Sequence, residues 1–473
     1  MASPNISFDS IPASIRKPGK YVEFNAKLAV RTLPSNVQRL LIVAQMLATG
    51  TAADSVPVQV FSSAEAATLF GRGSQAHRMV TAAIEAYRYA RITVLPLADS
   101  DTGVAATWTI TYTGTSTAGG SVTVTLAGQA VNVPIATGQT AAQVATAVEA
   151  ELDKQLDWAI TASVAAGVIT LTAKNKGTVA NDLAVSASSS LLGITVAAAA
   201  GTAGSNDPDL ADALAAVFTA SDEVIVWPYA NQTALTALRT HLTDRGNAIE
   251  QRGAIGVYAF TGTLANATTL AGQVNHERIT GCLLPGTLTP AYELATRYAA
   301  VISSEEDPAR PLNTLALTGA LPPPLASRLG RVEQETCLAN GVTPLEVGPG
   351  EVVQIVRAIT TYTLDPQAIP DIAWLDLTTV RTMDYVRTSV RNRLALRFPR
   401  EKLSARTPDR VRSEILDVMV KLEELEIVEE VEANKDGVIV ERDSQDPNRL
   451  DARIPTDVVN GLHVLAARLD LLL

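Results

Sequence analysis

The sequence predicts an α/β core interrupted by a β-rich insertion and followed by an α+β C-terminal unit, with a candidate strand near each chain end. Three observations carry this expectation. Short apolar runs alternate with helix-period segments over 40–96 and again over 209–303, the pattern of a parallel sheet covered on both faces. Between them, 100–202 holds only nine charged residues (Asp101, Glu149, Glu151, Asp153, Lys154, Asp157, Lys174, Lys176 and Asp182) and is dominated by Thr, Ala, Val, Ser and Gly. Beyond 351, two long amphipathic helical segments sit among short alternating ones. The resulting division is an N-terminal arm (1–30), a core (31–99 and 206–350), an inserted domain (100–205), a C-terminal domain (351–455) and a C-terminal arm (456–473).

The elements follow in order. Tyr21, Val22 and Phe24 belong to an alternating segment after the Pro18-Gly19 turn, so 21–25 reads as a strand that needs a partner. In the core, 40–45 and 92–96 read as buried strands, with helices over 64–70 and 76–90 between them. The insertion alternates as strands over 108–113, 121–126, 129–135, 159–164 and 168–173, with one helix over 140–155 that Thr140 can cap. Residues 197–206 read as its exit linker. The core resumes with strands at 223–227, 254–260 and 278–283 and helices at 210–218, 232–245, 266–274 (Asn266 as cap) and 290–303. In the C-terminal domain, 351–362 reads as a long strand and 378–398 as a helix with Met383, Val386, Val390 and Leu394 on one stripe. Thr407 and Pro408 open the next helix, where Val411, Ile415, Val418, Leu422 and Leu425 recur at near-heptad spacing. A hairpin is expected from 427–431 to 438–441 about Asp436-Gly437. In the last segment Leu465, Ala467, Leu469 and Leu471 face one way.

Composition narrows the function. A chain of 473 residues with 47% apolar residues can fill several cores, and a net charge of -11 does not suit nucleic acid or anionic membrane. The N-terminus has neither a basic nor an apolar leader region, and no uncharged apolar run approaches the ~20 residues of a membrane span. Cys282 and Cys337 read as buried thiols, and folding in a cytoplasm is expected.

Catalytic and metal signatures are missing from the sequence. The four histidines (His77, His241, His276 and His463) are scattered, and no G-x-S-x-G elbow occurs. Gly71-Arg-Gly-Ser-Gln-Ala76 fits a degenerate dinucleotide fingerprint but follows a helix, so it reads as a glycine-rich helix connection. Neither cofactor nor metal is expected, nor an enzyme.

The arginines stand out. From 377 to 412, ten basic residues face three acidic ones, a surplus of seven positive charges; from 413 to 473, fifteen acidic face six basic, a surplus of nine negative. Adjacent blocks of opposite sign fit a self-associating subunit, or pair within one subunit as ordinary ion pairs.

Five sets of short motifs occur in a telling order: Leu69-Phe-Gly-Arg-Gly-Ser74 with His77-Arg-Met79, Arg310-Pro-Leu-Asn-Thr314, Asn340-Gly-Val-Thr-Pro344, Asp384-Tyr-Val-Arg387 with Arg397-Phe-Pro-Arg400, and Val459-Asn-Gly-Leu-His463. With them, the chain outside the insertion resembles the tail sheath proteins of Mu-like contractile-tailed bacteriophages. The resemblance implies a subtilisin-like, non-catalytic core decorated by the insertion. It implies hexameric rings stacked helically on a tail tube, which contract and drive the tube through the host envelope. Partners would be further copies of the chain, the tail tube protein, and baseplate and tail terminator proteins, with neither nucleic acid nor membrane insertion. The location would be the virion, after assembly in the host cytoplasm.

The family's terminal arms add strands to neighbouring subunits, a role that falls here to the segments of Tyr21, Val22 and Phe24 and of Leu465, Leu469 and Leu471. Arg381, Arg387 and Arg391 are expected to face the tube, and Arg397 and Arg400 to join the tube or inter-subunit surface. Deletion of 459–473 should leave soluble monomers. An α/β hydrolase with a β-rich accessory domain is the alternative, and it would need a Ser/His/Asp constellation that the sequence does not display. An adhesive surface protein would need an export signal.

Overall fold

The structure, a computed structural model, describes residues 16–22 and 33–471. Phe24 lies outside the described residues. The core opens with β1 (Arg39–Gln45), β2 (Val58–Val60), α1 (Ser63–Phe70), α2 (Gln75–Ala86) and β3 (Arg91–Leu97). The insertion comprises β4 (Thr107–Gly114), β5 (Gly120–Leu126), β6 (Gln129–Ile135), α3 (Ala141–Leu152), β7 (Ile160–Ala165), β8 (Val168–Ala173), β9 (Val185–Ser189) and β10 (Ile194–Ala200). The core then continues through α4 (Ala211–Ala216), β11 (Val224–Val226), α5 (Gln232–Gly246), β12 (Ile255–Phe260), α6 (Leu264–Val274) and β13 (Ile279–Leu283). It closes with α7 (Ala291–Ser304), α8 (Arg331–Ala339), β14 (Thr343–Gly348) and β15 (Val352–Ile355).

These strands form one eight-stranded sheet in the order β15-β14-β13-β12-β11-β1-β3-β2. The six strands from β14 to β3 run parallel, and the two edge strands pair antiparallel. Its two-sided burial explains the continuous apolar runs in the sequence. On β1, Leu40 and Ile42 pack with Met79 and Tyr298 on one face, while Leu41 and Val43 pack with Leu235 and Leu238 on the other. Helix α7 lies so deep that twelve of its fourteen residues are buried. Its Glu293 and Arg297 are tolerated there because Arg78 and Glu85 of α2 pair with them. Both cysteines are free and buried.

The glycine-rich connection is a helix junction, as its position after α1 suggested. Ser74 caps α2, and Gly71 and Gly73 sit at φ +85° and +79°. A β-carbon on Gly73 would collide with Lys174 Nζ and Trp158 O of the insertion, so the glycine permits both the turn and a close domain contact.

The insertion packs the antiparallel sheets β10-β4-β8-β7 and β6-β5-β9 around Trp108, Ile110, Val122, Val124 and Leu171, with Val144, Val148 and Leu152 of α3. Thr140 and Gln143 form a capping box on α3. Residues 194–200, in part expected as linker, are instead the strand β10, paired with β4 from Ile194↔Gly114 to Ala200↔Trp108. Alanine is a weak strand former, and it is the β4 ladder that fixes the conformation. Val104 and Ser205 bridge each other, so the insertion enters and leaves at one point.

The C-terminal domain contains α9 (Leu377–Arg397), α10 (Thr407–Glu424), β16 (Val428–Glu429), α11 (Val431–Asn434), β17 (Ile439–Arg442), β18 (Leu450–Arg453) and β19 (Asp457–Val458). Four expectations need correction here and in the core. The strand expected over 351–362 is confined to β15. The hairpin about Asp436-Gly437 does not form: β16 pairs with β19, and β17 with β18, because residues 431–434 coil into α11 between them. Thr407 does not cap α10; its hydroxyl donates to Lys402 O. Thr263, not Asn266, caps α6. No helix among the described residues is long and apolar enough to cross a membrane.

Candidate assembly surface

The arginine-rich helix α9 is bolted to the core by the polar side chains expected to face outward. Arg381 is only 5% exposed, and its guanidinium donates to Glu305 O. Burial pulls its pKa down to about 10, opposed by the nearby Glu305 and Asp307. Arg387 donates to Gly246 O at 2.9 Å and to Asp384 at 2.8 Å, and Asp384 takes two further bonds from Arg278, at 2.6 and 3.0 Å. Tyr385 donates to Pro34 O at 2.8 Å. The Asp384-Tyr-Val-Arg387 motif is thus an internal clasp between domains. Arg381 and Arg387 turn inward because α9 uses its apolar stripe on α10, leaving this flank against the core. Arg391, near Gln251, stays exposed.

The opposed charge blocks also meet inside the subunit. Arg393, 5% exposed at the side chain, lies 3.2 Å from Glu414 and 2.8 Å from Asp417 of α10, and Arg397 lies 3.4 Å from Glu414. Lys421 returns to Asp417 at 2.8 Å. Arg412 donates to Val438 O and Lys435 O, both at 2.7 Å. What remains exposed is narrower than the sequence block: Arg391 on α9, Arg400, Lys402 and Arg406 in the connection to α10, and Arg410 in the first turn of α10, where it pairs with Glu401. Exposed carboxylates lie further on, at Glu424, Glu426, Glu429, Glu430, Glu432 and Asp436.

The C-terminal arm is the most unusual surface. Leu465, Leu469 and Leu471 are 84%, 97% and 84% exposed, and Leu462 and Val464 are also exposed. The expected strand over this segment does not form among the described residues: alternation alone does not make a strand where none of their edges pairs with it. Near the other end, Tyr21 and Val22 are exposed too, and Tyr21 donates to Lys17 O.

A crevice of about 380 Å³ opens at the C-terminal ends of β11 and β12, where α/β enzymes hold their ligands. Its walls include Tyr229, Ala259, Phe260, Thr261 and Tyr292, and among the described residues neither serine, cysteine nor histidine lines it. The N-terminus of α7, which would bind an anion there, is taken by Asp182 of the insertion, whose carboxylate accepts from Ala291 N at 2.8 Å. The histidines are dispersed in separate packing roles. His77 accepts from Gly73 N, His276 bonds Thr243 and Arg278, and His241 packs edge-on to Phe218.

Residues 203–361 match the phage tail sheath protein central domain and 370–471 the phage tail sheath C-terminal domain. The Mu-like prophage FluMu tail sheath protein of Haemophilus influenzae is 31% identical over 487 residues, covering 99% of this chain and 100% of that one. This chain belongs to the phage tail sheath family. Solved sheath tail proteins share its fold. That of Desulfitobacterium hafniense superposes with a TM-score of 0.52 at 14% identity, over 94% of this chain and 97% of that one. That of Listeria innocua gives 0.53 at 13% identity, over 91% and 94%. The sheath chain is a structural subunit of a contractile tail, and the hydrolase alternative finds no support.

Proposed function

We propose that this sheath protein polymerises as hexameric rings stacked around a tail tube, and that the stack contracts to drive the tube through the host envelope. Its role is structural and not catalytic, its place is the virion, and assembly takes place in the host cytoplasm. Tail tube, baseplate and tail terminator proteins are the further partners. The parallel sheet between two helix layers supports a subtilisin-like core arrangement.

One observation carries the reading. The C-terminal arm presents an alternating apolar strand sequence with its leucines in solvent, which is stable only when another backbone edge accepts it. A second copy supplies such an edge at its short two-stranded sheets, β16 with β19 or β17 with β18. The N-terminal segment of Tyr21, Val22 and Phe24 is assigned the same exchange role. Strand exchange tethers subunits while other contacts are remade, since breaking several backbone hydrogen bonds in a row costs about 1 kcal/mol each or more. The exposed basic residues Arg391, Arg400, Lys402 and Arg406 are assigned to the tube or inter-subunit surface, with Arg397 at its border.

Negative-stain microscopy of the purified protein tests the reading. Long striated cylinders are expected, and a preparation that stays monodisperse and small under all assembly conditions would falsify it.

A further inference from the structure

Two motifs far apart in the sequence, Arg310-Pro-Leu-Asn-Thr314 and Val459-Asn-Gly-Leu-His463, come together where the C-terminal arm leaves the body. Val459 N donates to Ile427 O at 3.3 Å, extending the β16–β19 pairing by one bond. Gly461 then passes so close to Pro311 that a β-carbon would stand 2.6 Å from Pro311 Cγ. The Asn313 side-chain amide donates to His463 Nδ1 at 2.9 Å. On the other edge of the ring, Nε2 lies 3.6 Å from Asp376 Oδ1, and Asp376 is itself fixed by Arg357 at 2.9 and 2.7 Å. The His463 side chain is 15% exposed, whereas Leu462 and Val464 on either side are 76% and 78% exposed. Everything from Val464 to Leu471 is in solvent.

We propose that His463, seated on Asn313 and Asp376 behind Gly461, is the anchor that sets where the exchanged arm begins. It acts as a positioning residue for assembly, and this rests on the strand-exchange reading above. The consequence is metric. Leu471 lies eight positions beyond His463, so a fully extended arm carries it at most about 28 Å from the anchor, and the edge of the second copy that accepts Leu471 must lie within about that distance. Were the arm to peel back to Val459, four more residues would lengthen the reach by about 14 Å and loosen the register in which the leucines arrive. The anchor holds the arm to one length and one direction while subunits move. It also bridges the core, through Asn313, and the start of α9, through Asp376, so the arm is referred to both domains at once.

Because Cys282 and Cys337 are buried, a single surface cysteine can be spin-labelled selectively in the full chain. A label at Asn460, which is exposed, is expected to be immobile in the otherwise unaltered monomer, and one at Val464 mobile. His463→Ala should free the Asn460 label, leave the melting temperature nearly unchanged and reduce polymer yield several-fold. His463→Gln, which keeps a partner for Asn313, should restore both readings in part. A mobile Asn460 label in the unaltered protein overturns the anchor, as does His463→Ala with an immobile label and full polymer yield. Normal polymers after deletion of 464–473, with the labels behaving as expected, overturn strand exchange and not the anchor.

Discussion

At the scale of single residues, the polar side chains of α9 show how charge can be visible in a sequence and its use hidden. Ten basic residues in thirty-six announce an interface, but nothing in their spacing says which of them lie against a neighbouring domain. Arg381 is the clear case. It is buried with Nε and Nη1 lacking acceptors among the described residues, a costly state that an apolar side chain of similar length relieves. Arg381→Met is therefore expected to keep or raise the melting temperature and leave polymerisation intact; loss of polymers with an unchanged melt would restore Arg381 to the tube surface. Arg393 differs because it neutralises Glu414 and Asp417, so Arg393→Met should destabilise by about 3 kcal/mol in urea titrations. The histidines supply a pH dependence. Burial lowers His241 and His276 to about 4 from an ordinary 6.5, with Arg245 adding to the effect at His241 and Glu277 opposing it at His276. The unfolded chain thus takes up protons between pH 6.5 and 4 that the folded one refuses, and stability falls as pH falls through that window, by up to about 3 kcal/mol per histidine. His241→Phe should flatten the acid limb of a melting-temperature profile, and an unaltered limb would remove His241 from the account.

At the scale of elements, legibility followed the source of stability. The parallel strands β1, β3, β12 and β13 and the capped helices α2 and α3 were readable because their burial and capping are written locally. Strands β9 and β10 were not, because Val185–Ser189 and Ile194–Ala200 owe their conformation to partners elsewhere in the insertion. The hairpin about Asp436-Gly437 failed for the converse reason: a good local turn signal lost to the longer-range pairs β16–β19 and β17–β18. The proposed assembly surface shows in the sequence as alternation in 464–471, while the anchor proposed for it does not, since Asn313 and His463 are brought together only by the fold. Gly73 offers an element-scale test. Gly73→Ala combines a positive φ with a collision against Lys174 and Trp158, so it should lower stability by about 2 kcal/mol and loosen the insertion. Faster hydrogen exchange confined to 156–176 and the start of α2 would display that loosening, and an unchanged pattern would contradict it.

At the scale of the whole molecule, the insertion and the frame are joined by few covalent and many polar links. Asn175 bonds Gln75 N, Met46 O and Asp99, and Gln45 bonds Asp99 and Lys176 O, so the insertion is fastened firmly where it meets α2 and β1. Yet Val104 and Ser205 donate to each other at 2.9 and 3.1 Å, and a short turn between them can replace everything in between. A chain so shortened is expected to melt at a lower temperature, having lost those bonds, and still to form cylinders; failure to form them while remaining folded would make the insertion part of the contractile frame. Abutting ends have a further consequence. Any module whose own termini touch is expected to be exchangeable at this doorway without altering the path of the frame, because the two chain ends already meet there.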